Sequence, residues 1–186
     1  MMRLFIALPL EKTVEDYLSR LILQLKQKGG AVKWVAPQNI HLTVRFLGDT
    51  DEKIIDPLKH ELDGVVARHR NISTALDRLG AFPNLKRPRV IWIGLGEHLD
   101  AMRELAADTE QAVRSLGFEP ETKSFRPHLT LGRVRDARDV GQLVDYIGLC
   151  KVEKTGFMLD RLVLFKSTLT PRGPIYDRLH EAMLTG

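Results

Sequence analysis

The sequence predicts an α+β fold: two pseudo-symmetric lobes, each an antiparallel β-sheet with outer helices, enclosing a central cleft. Three observations lead there. Strand-period and helix-period segments alternate along the 186 residues in two passes. No linker or low-complexity stretch separates the passes, so residues 1–186 are expected to form one bilobal domain. Each pass carries one copy of the same tetrapeptide, His41-Leu42-Thr43-Val44 and His128-Leu129-Thr130-Leu131, 87 positions apart. With six His and eleven Thr in the chain and 44% apolar positions, random order gives two such matches with a probability of about 0.002.

Each element has a local signature. Arg3 to Leu8 reads as a strand, and Val14 to Lys26 as an amphipathic helix ended by Gly29-Gly30. Val32 to Val35 is a short strand. From Ile40 to Leu47 the chain alternates, placing His41, Thr43 and Arg45 on one face and Leu42, Val44 and Phe46 on the other, with Gly48-Asp49 closing the strand. Thr50 or Asp51 then caps a helix reaching Arg68. Ile72 to Leu79 is a strand, Phe82-Pro83-Asn84 a turn, Arg89 to Leu95 a strand, and Asp100 to Leu116 a helix stopped by Gly117. Arg126 to Val134 is the second motif strand. A helix is expected over Asp136 to Ile147, one or two strands over Phe157 to Lys166, and a turn-rich connection over Ser167 to Pro174. The periodicity of Ile175 to Leu184 fits a strand or a helix.

Composition narrows the function classes. Lys and Arg number 28 against 24 Asp and Glu, and the pI is about 9.3, which favours an anionic partner. Arg68-His69-Arg70, Lys86-Arg87-Pro88-Arg89 and Arg133-Val134-Arg135 are clusters suited either to a phosphate backbone or to solvated loops. The lone Cys150 fits a reducing compartment, and the apolar opening Leu4 to Leu8 is too short for a signal-peptide core, so a cytoplasmic protein is expected. No apolar run approaches the roughly 20 residues a bilayer requires. A monomer is the expected oligomeric state.

In an extended strand each motif sets its His and Thr on one face and its apolar residues on the other. Two such imidazoles facing one another divide the work of a phosphoryl displacement: one takes a proton from the attacking water, the other gives one to the departing oxygen. The Thr hydroxyls supply donors to non-bridging phosphoryl oxygens. The bland alternative is a pair of strands with polar residues on a wet face. A metal site lacks a third ligand, since there is no His-Glu-x-x-His, no clustered Cys and no carboxylate within either motif. No Gly-x-Ser-x-Gly elbow is present, and Gly94-Leu95-Gly96 lacks the third glycine of a dinucleotide loop. Arg45 and Arg126 share parity with the histidines and are candidates for the cleft or for solvent. Trp34, Phe46 and Phe125 are candidates to stack a base or to fill the core. His60, His69, His98 and His180 read as helix or loop residues.

The motifs and their neighbours resemble the two-histidine phosphoesterase superfamily. Met2-Arg3-Leu4-Phe5-Ile6-Ala7-Leu8, Trp34-Val35, Asn39-Ile40 before the first motif, Phe46-Leu47-Gly48, Phe82-Pro83, Arg89-Val90-Ile91-Trp92, Arg126-Pro127 before the second motif, Gly132-Arg133 after it, and Gly173-Pro174-Ile175-Tyr176 extend the resemblance over the chain. They are similar to RNA 2′,3′-cyclic phosphodiesterases, also called 2′-5′ RNA ligases. The resemblance implies hydrolysis of RNA 2′,3′-cyclic phosphate ends, or of a small cyclic nucleotide, to a 2′-phosphomonoester, with no metal and no cofactor. It casts His41 as proton donor, His128 as proton acceptor, and Thr43, Thr130 and Arg133 as phosphate ligands. Strict alternation puts Arg133 on the face opposite His128, a conflict that a bulge at Gly132 would resolve. Two other functions stay open: the reverse reaction, joining a cyclic phosphate end to a 5′-hydroxyl, and non-catalytic binding of RNA or nucleotide.

Overall fold

The computed structural model describes all 186 residues. Its strands are β1 (Met2–Pro9), β2 (Ala31–Trp34), β3 (His41–Thr50), β4 (Ile72–Phe82), β5 (Val90–Leu95), β6 (His128–Asp136), β7 (Gly156–Leu159), β8 (Arg161–Thr170) and β9 (Gly173–Met183). Its helices are α1 (Lys12–Lys26), α2 (Ile55–Val66), α3 (Leu99–Ser115) and α4 (Gly141–Leu149). The architecture is α+β with antiparallel strand pairing between every pair of named strands, in the order β7-β4-β5-β6-β3-β1-β8-β9, with β2 on the far half of β6.

The helices form because their apolar residues recur at helical spacing. In α1, Val14, Leu18, Leu21, Ile22 and Leu25 make one buried stripe. In α3, Met102, Leu105, Ala106, Thr109, Ala112 and Val113 do the same. Helices α2 and α3 pack on one another, α2 against β8 and β9, α3 against β3, and α4 against β4. Beneath them lies a core of 34 buried residues. The central strands are apolar on both faces: in β1, Leu4, Ile6 and Leu8 enter that core, while Phe5 and Ala7 join Val163, Phe165 and Tyr176 in a small apolar cluster on the opposite face. That opposite face carries the motifs. No helix is long and apolar enough to cross a membrane.

Several boundaries differ from the sequence reading, each for a local reason. Strand β3 does not close at Gly48-Asp49 but runs on to Thr50, because Gly48 takes φ +73, open to a residue without a Cβ, and pairing with β1 continues past it. Asp51 accepts a hydrogen bond from the Lys53 amide and caps a short 3₁₀ turn, so α2 starts only at Ile55. Asp136 ends β6 rather than starting a helix; its carboxylate is held by Arg138, and α4 begins at Gly141. The expected loop at Ser167–Pro174 is the tip of a β8–β9 hairpin, and the ambiguous C-terminal segment is the strand β9, which carries His180. The Phe82–Pro83 peptide is cis.

Two glycines in the sheet are required by close packing. Gly80 lies opposite Trp92, and a Cβ there would stand 2.3 Å from the indole. At Gly132 a Cβ would stand 2.7 Å from Val32 and 2.9 Å from Trp34. Gly80→Ala forces the Trp92 ring off its seat and is expected to cost about 1–3 kcal/mol. A urea midpoint unchanged from the parent protein would contradict that packing.

Candidate active site

The site is built around one cross-strand pair. Leu42 of β3 and Leu129 of β6 pair directly, antiparallel, and both are buried in the main core, at 1% and 0% exposure. Counting outward by one residue sets His41 across from Thr130 and Thr43 across from His128, on the face away from the core. The two histidines are then diagonal neighbours, which in a paired ladder stand roughly 7–8 Å apart, with their Cβ atoms somewhat closer. Pairing between β3 and β6 stops at that single bridge, and β2 takes over the edge of β6 from Gly132. The strands therefore splay, and the motif residues line the opening.

Both imidazoles are oriented in the same way. His41 Nδ1 lies 2.7 Å from the Asn39 carbonyl oxygen and His128 Nδ1 lies 2.6 Å from that of Arg126, in each case two residues upstream. A carbonyl can only accept, so Nδ1 carries the hydrogen and the neutral ring presents an unprotonated Nε2. These are the only side-chain hydrogen bonds either tetrapeptide makes within the protein, so both Thr hydroxyls are free for a ligand.

Packing fixes the rings. His41 stacks on Phe5 at 4.8 Å and meets Tyr176 edge-on at 5.5 Å, with Phe165 at 6.1 Å. His128 meets Phe82 edge-on at 4.9 Å, and Phe82 in turn packs against Trp92. Burial disfavours the charged imidazolium. It pushes His41 down to about 4, opposed only by the Asn39 carbonyl. His128 is also lowered, first by burial and then by the positive charge of Arg133, against the pull of the Arg126 carbonyl.

A bulge interrupts each strand at the end of its motif and decides which later residues reach the cleft. In β6, Thr130 pairs with Trp92 and Gly132 with Ile91, so Leu131 is the extra residue. The parity flips there. Arg133, opposite Val90 on β5 and Lys33 on β2, returns to the face of His128 and Thr130. Its charge reaches both His128 and, across the opening, Tyr176, whose hydroxyl is pushed up by burial and held back by Arg133 and Arg3. In β3, Thr43 pairs with Ala7 and Arg45 with Ile6, leaving Val44 as the extra residue. Phe46, opposite Phe5, is therefore the counterpart of Arg133; it is 43% exposed, with the Arg3 guanidinium 4.8 Å from its ring centre.

The same bulge overturns the expectation for Arg45. It leaves the face of His41 and is held behind the sheet, with Nε 2.6 Å from Glu110 of α3 and further bonds to Glu121 and the Glu119 carbonyl. Its role there is to tie the segment after α3 to β3. Phe125 and Trp34 are partly buried and pack against the main core. Arg126 has an exposed side chain, and its contact with the site is its backbone carbonyl. Sequence reasoning missed Phe5, Phe82, Phe165, Tyr176 and Arg3. Alternation in β1 was the available signal for Arg3 and Phe5, since both fall on the face opposite Leu4, Ile6 and Leu8. Tyr176 and Phe165 become legible only once β8 and β9 are known to pair beside β1.

The family model for LigT-like phosphoesterases matches residues 8–92 and again residues 93–176, one motif in each match. The chain belongs to the LigT-like phosphoesterase family. This phosphoesterase is 34% identical to the RNA 2′,3′-cyclic phosphodiesterase of Thermotoga maritima, over 100% of this chain and 97% of that protein. It is 35% identical to that of Methanocaldococcus jannaschii, over 97% and 99%. Among solved structures, a Thermus thermophilus protein superposes with a TM-score of 0.83 at 25% identity, covering 100% of this chain and 99% of that one. E. coli LigT complexed with 3′-AMP shares the fold, with a TM-score of 0.77 at 22% identity and coverage of 100% and 99%.

The neutral, Nδ1-protonated rings have a consequence for stability. The unfolded chain takes up protons on these histidines near the ordinary value of 6.5, while the fold holds them neutral to lower pH. The unfolded state thus binds more protons between about pH 6.5 and 4, and stability falls as pH falls through that window. Urea unfolding at a series of pH values should show that slope, and His41→Gln should flatten it. In ¹⁵N NMR the His41 ring should remain the neutral Nδ1–H tautomer until about pH 4. Titration of His41 near 6.5 would contradict the burial argument.

Proposed function

We propose that this phosphoesterase hydrolyses the 2′,3′-cyclic phosphate end of an RNA strand to a 2′-phosphomonoester by metal-independent acid–base catalysis. The observation that carries the reading is the pair of identically anchored imidazoles, each with a free Nε2 and a free Thr hydroxyl beside it, on the two sides of one opening. The names of the curated relatives support the substrate class.

The chemistry runs as an in-line displacement. His128 Nε2 takes a proton from water as its oxygen attacks phosphorus; the bond from phosphorus to O3′ breaks, and protonated His41 delivers its Nε2 proton to that departing oxygen. The O2′–phosphorus bond is kept. Thr43, Thr130 and Arg133 donate hydrogen bonds to the non-bridging oxygens, whose charge must stay stabilised in the transition state. An imidazolium at His41 is disfavoured in the free protein, and the anionic phosphate between the rings offsets that by favouring it. With an RNA 5′-hydroxyl in place of water, the same groups would form a 2′-5′ linkage, a reaction that product analysis at high RNA-end concentration detects. The remaining features of the reading are a single bilobal domain, one motif per lobe, acting as a monomer in the cytoplasm.

The test is a short RNA ending in a 2′,3′-cyclic phosphate, incubated with the protein and a chelator. Turnover to a 2′-phosphate is expected, and His41→Ala and His128→Ala should each lose at least ~10² in kcat/KM. Because both histidines are lowered in the free protein, kcat/KM should peak on the acid side of 6.5 and decline toward alkaline pH. Activity abolished by the chelator, or retained in either variant, would defeat the proposal.

A further inference from the structure

The two halves of the cleft face differ in charge, and the difference assigns a direction to the substrate. On the β1–β8–β9 side the cations beside the aromatic surface are engaged, while Lys166, opposite Leu4, falls on the core-side face and exposed Arg172 lies out at the β8–β9 turn. Arg178 and Arg161 each lie 3.0 Å from Glu181, Arg161 also binds Asp160 at 2.8 Å, and Arg3 covers Phe46. The surface around them is aromatic, with Phe5, Phe165 and Tyr176.

On the β6–β2 side the cations are exposed and form no ion pair. Arg133 and Lys33 are direct cross-strand neighbours, on the face of His128 and Thr130. Beyond them on β6 is exposed Arg135, the extra residue where β6 passes Ala31 and Val32. The loop before β5 reaches the same end: the Val134 amide donates to the Arg89 carbonyl at 2.9 Å, while Asn84 Oδ1 accepts from the Lys86 and Arg87 amides and leaves their side chains in solvent. Two of the three basic clusters in the sequence thus meet at one place. The third does not, since Arg68 and His69 bind Asp108 on the helical side.

We infer that the unpaired cations Lys33 and Arg135, with Lys86 and Arg87 behind them, form a track for the phosphates of the RNA strand upstream of its cyclic end, leaving the site past Arg133 along β6. Arg135 lies two residues beyond Arg133 on the same strand and Lys33 directly across from Arg133, so the charges lead outward from the reacting phosphate along β6. A flexible polyanion bound this way gains by releasing counterions, so the contact is salt-sensitive and independent of base sequence. The inference rests on the phosphodiesterase reading and deepens it: the substrate is a polymer end held over several nucleotides rather than a free cyclic mononucleotide.

The experiment compares the parent protein with the double variant Lys33→Gln/Arg135→Gln on an oligoribonucleotide with a 2′,3′-cyclic phosphate end and on 2′,3′-cyclic AMP, across a salt series. On the oligoribonucleotide the variant should lose roughly tenfold in kcat/KM, and its salt slope should fall by about 0.7 for each cation removed. Turnover of 2′,3′-cyclic AMP should be unchanged, which also shows that the variant is folded. Equal losses on both substrates, or none on the oligoribonucleotide, would overturn the track while leaving the phosphodiesterase intact. A parent protein that turns over neither substrate would overturn both.

Discussion

The single bridge between Leu42 and Leu129 is the constraint on which the rest depends. Both side chains are sealed in the main core, so the strands cannot slip by one residue without turning the apolar set outward and the histidines inward. Because the pairing is antiparallel and the motifs are alike, this one contact creates a local twofold relation. Each His acquires a Thr across from it, and each half-sheet contributes one of each. Because the pairing stops there, the strands part and leave room between the rings.

Around that bridge the molecule repeats the same devices in both halves. The carbonyl two residues upstream anchors Nδ1, an aromatic ring packs against the imidazole, and a bulge at the fourth motif residue reverses the parity of the rest of the strand. The repeat is imperfect beyond the bulges. The residue returned to the cleft by the bulge is Arg133 in one half and Phe46 in the other, so a symmetric backbone carries an asymmetric surface. Burial adds to the asymmetry. His41, ringed by Phe5, Phe165 and Tyr176, is held further toward its neutral form, while His128 sits beside a guanidinium.

Bulges are where sequence reasoning failed. Strict alternation from His41 gave Arg45 cleft-or-solvent parity and Phe46 core parity, and both are reversed by the bulge at Val44; from His128 it conflicted with a cleft-facing Arg133, and the bulge invoked at Gly132 to resolve that lies one residue earlier, at Leu131. A bulge adds one residue without a side-chain signature when that residue is an ordinary valine or leucine, as at Val44 and Leu131. Only the partner strand's register reveals it. The conflict at Arg133 was visible because a resemblance demanded one face and parity the other; Arg45 raised no such conflict, and its ion pair with Glu110 lies 65 residues away in the chain.

By itself the sequence determined the element order up to β8, the α+β class, the two His-Thr pairs and the face each pair shares, because these depend on side-chain periods within a few consecutive residues. The tertiary structure decided that β3 and β6 meet at their leucines, that Arg133 and Phe46 turn into the cleft while Arg45 turns out, and that aromatic residues from β1, β4, β8 and β9 surround the rings. Those outcomes depend on pairing between distant strands, where the energy lies in register and burial that no local pattern encodes.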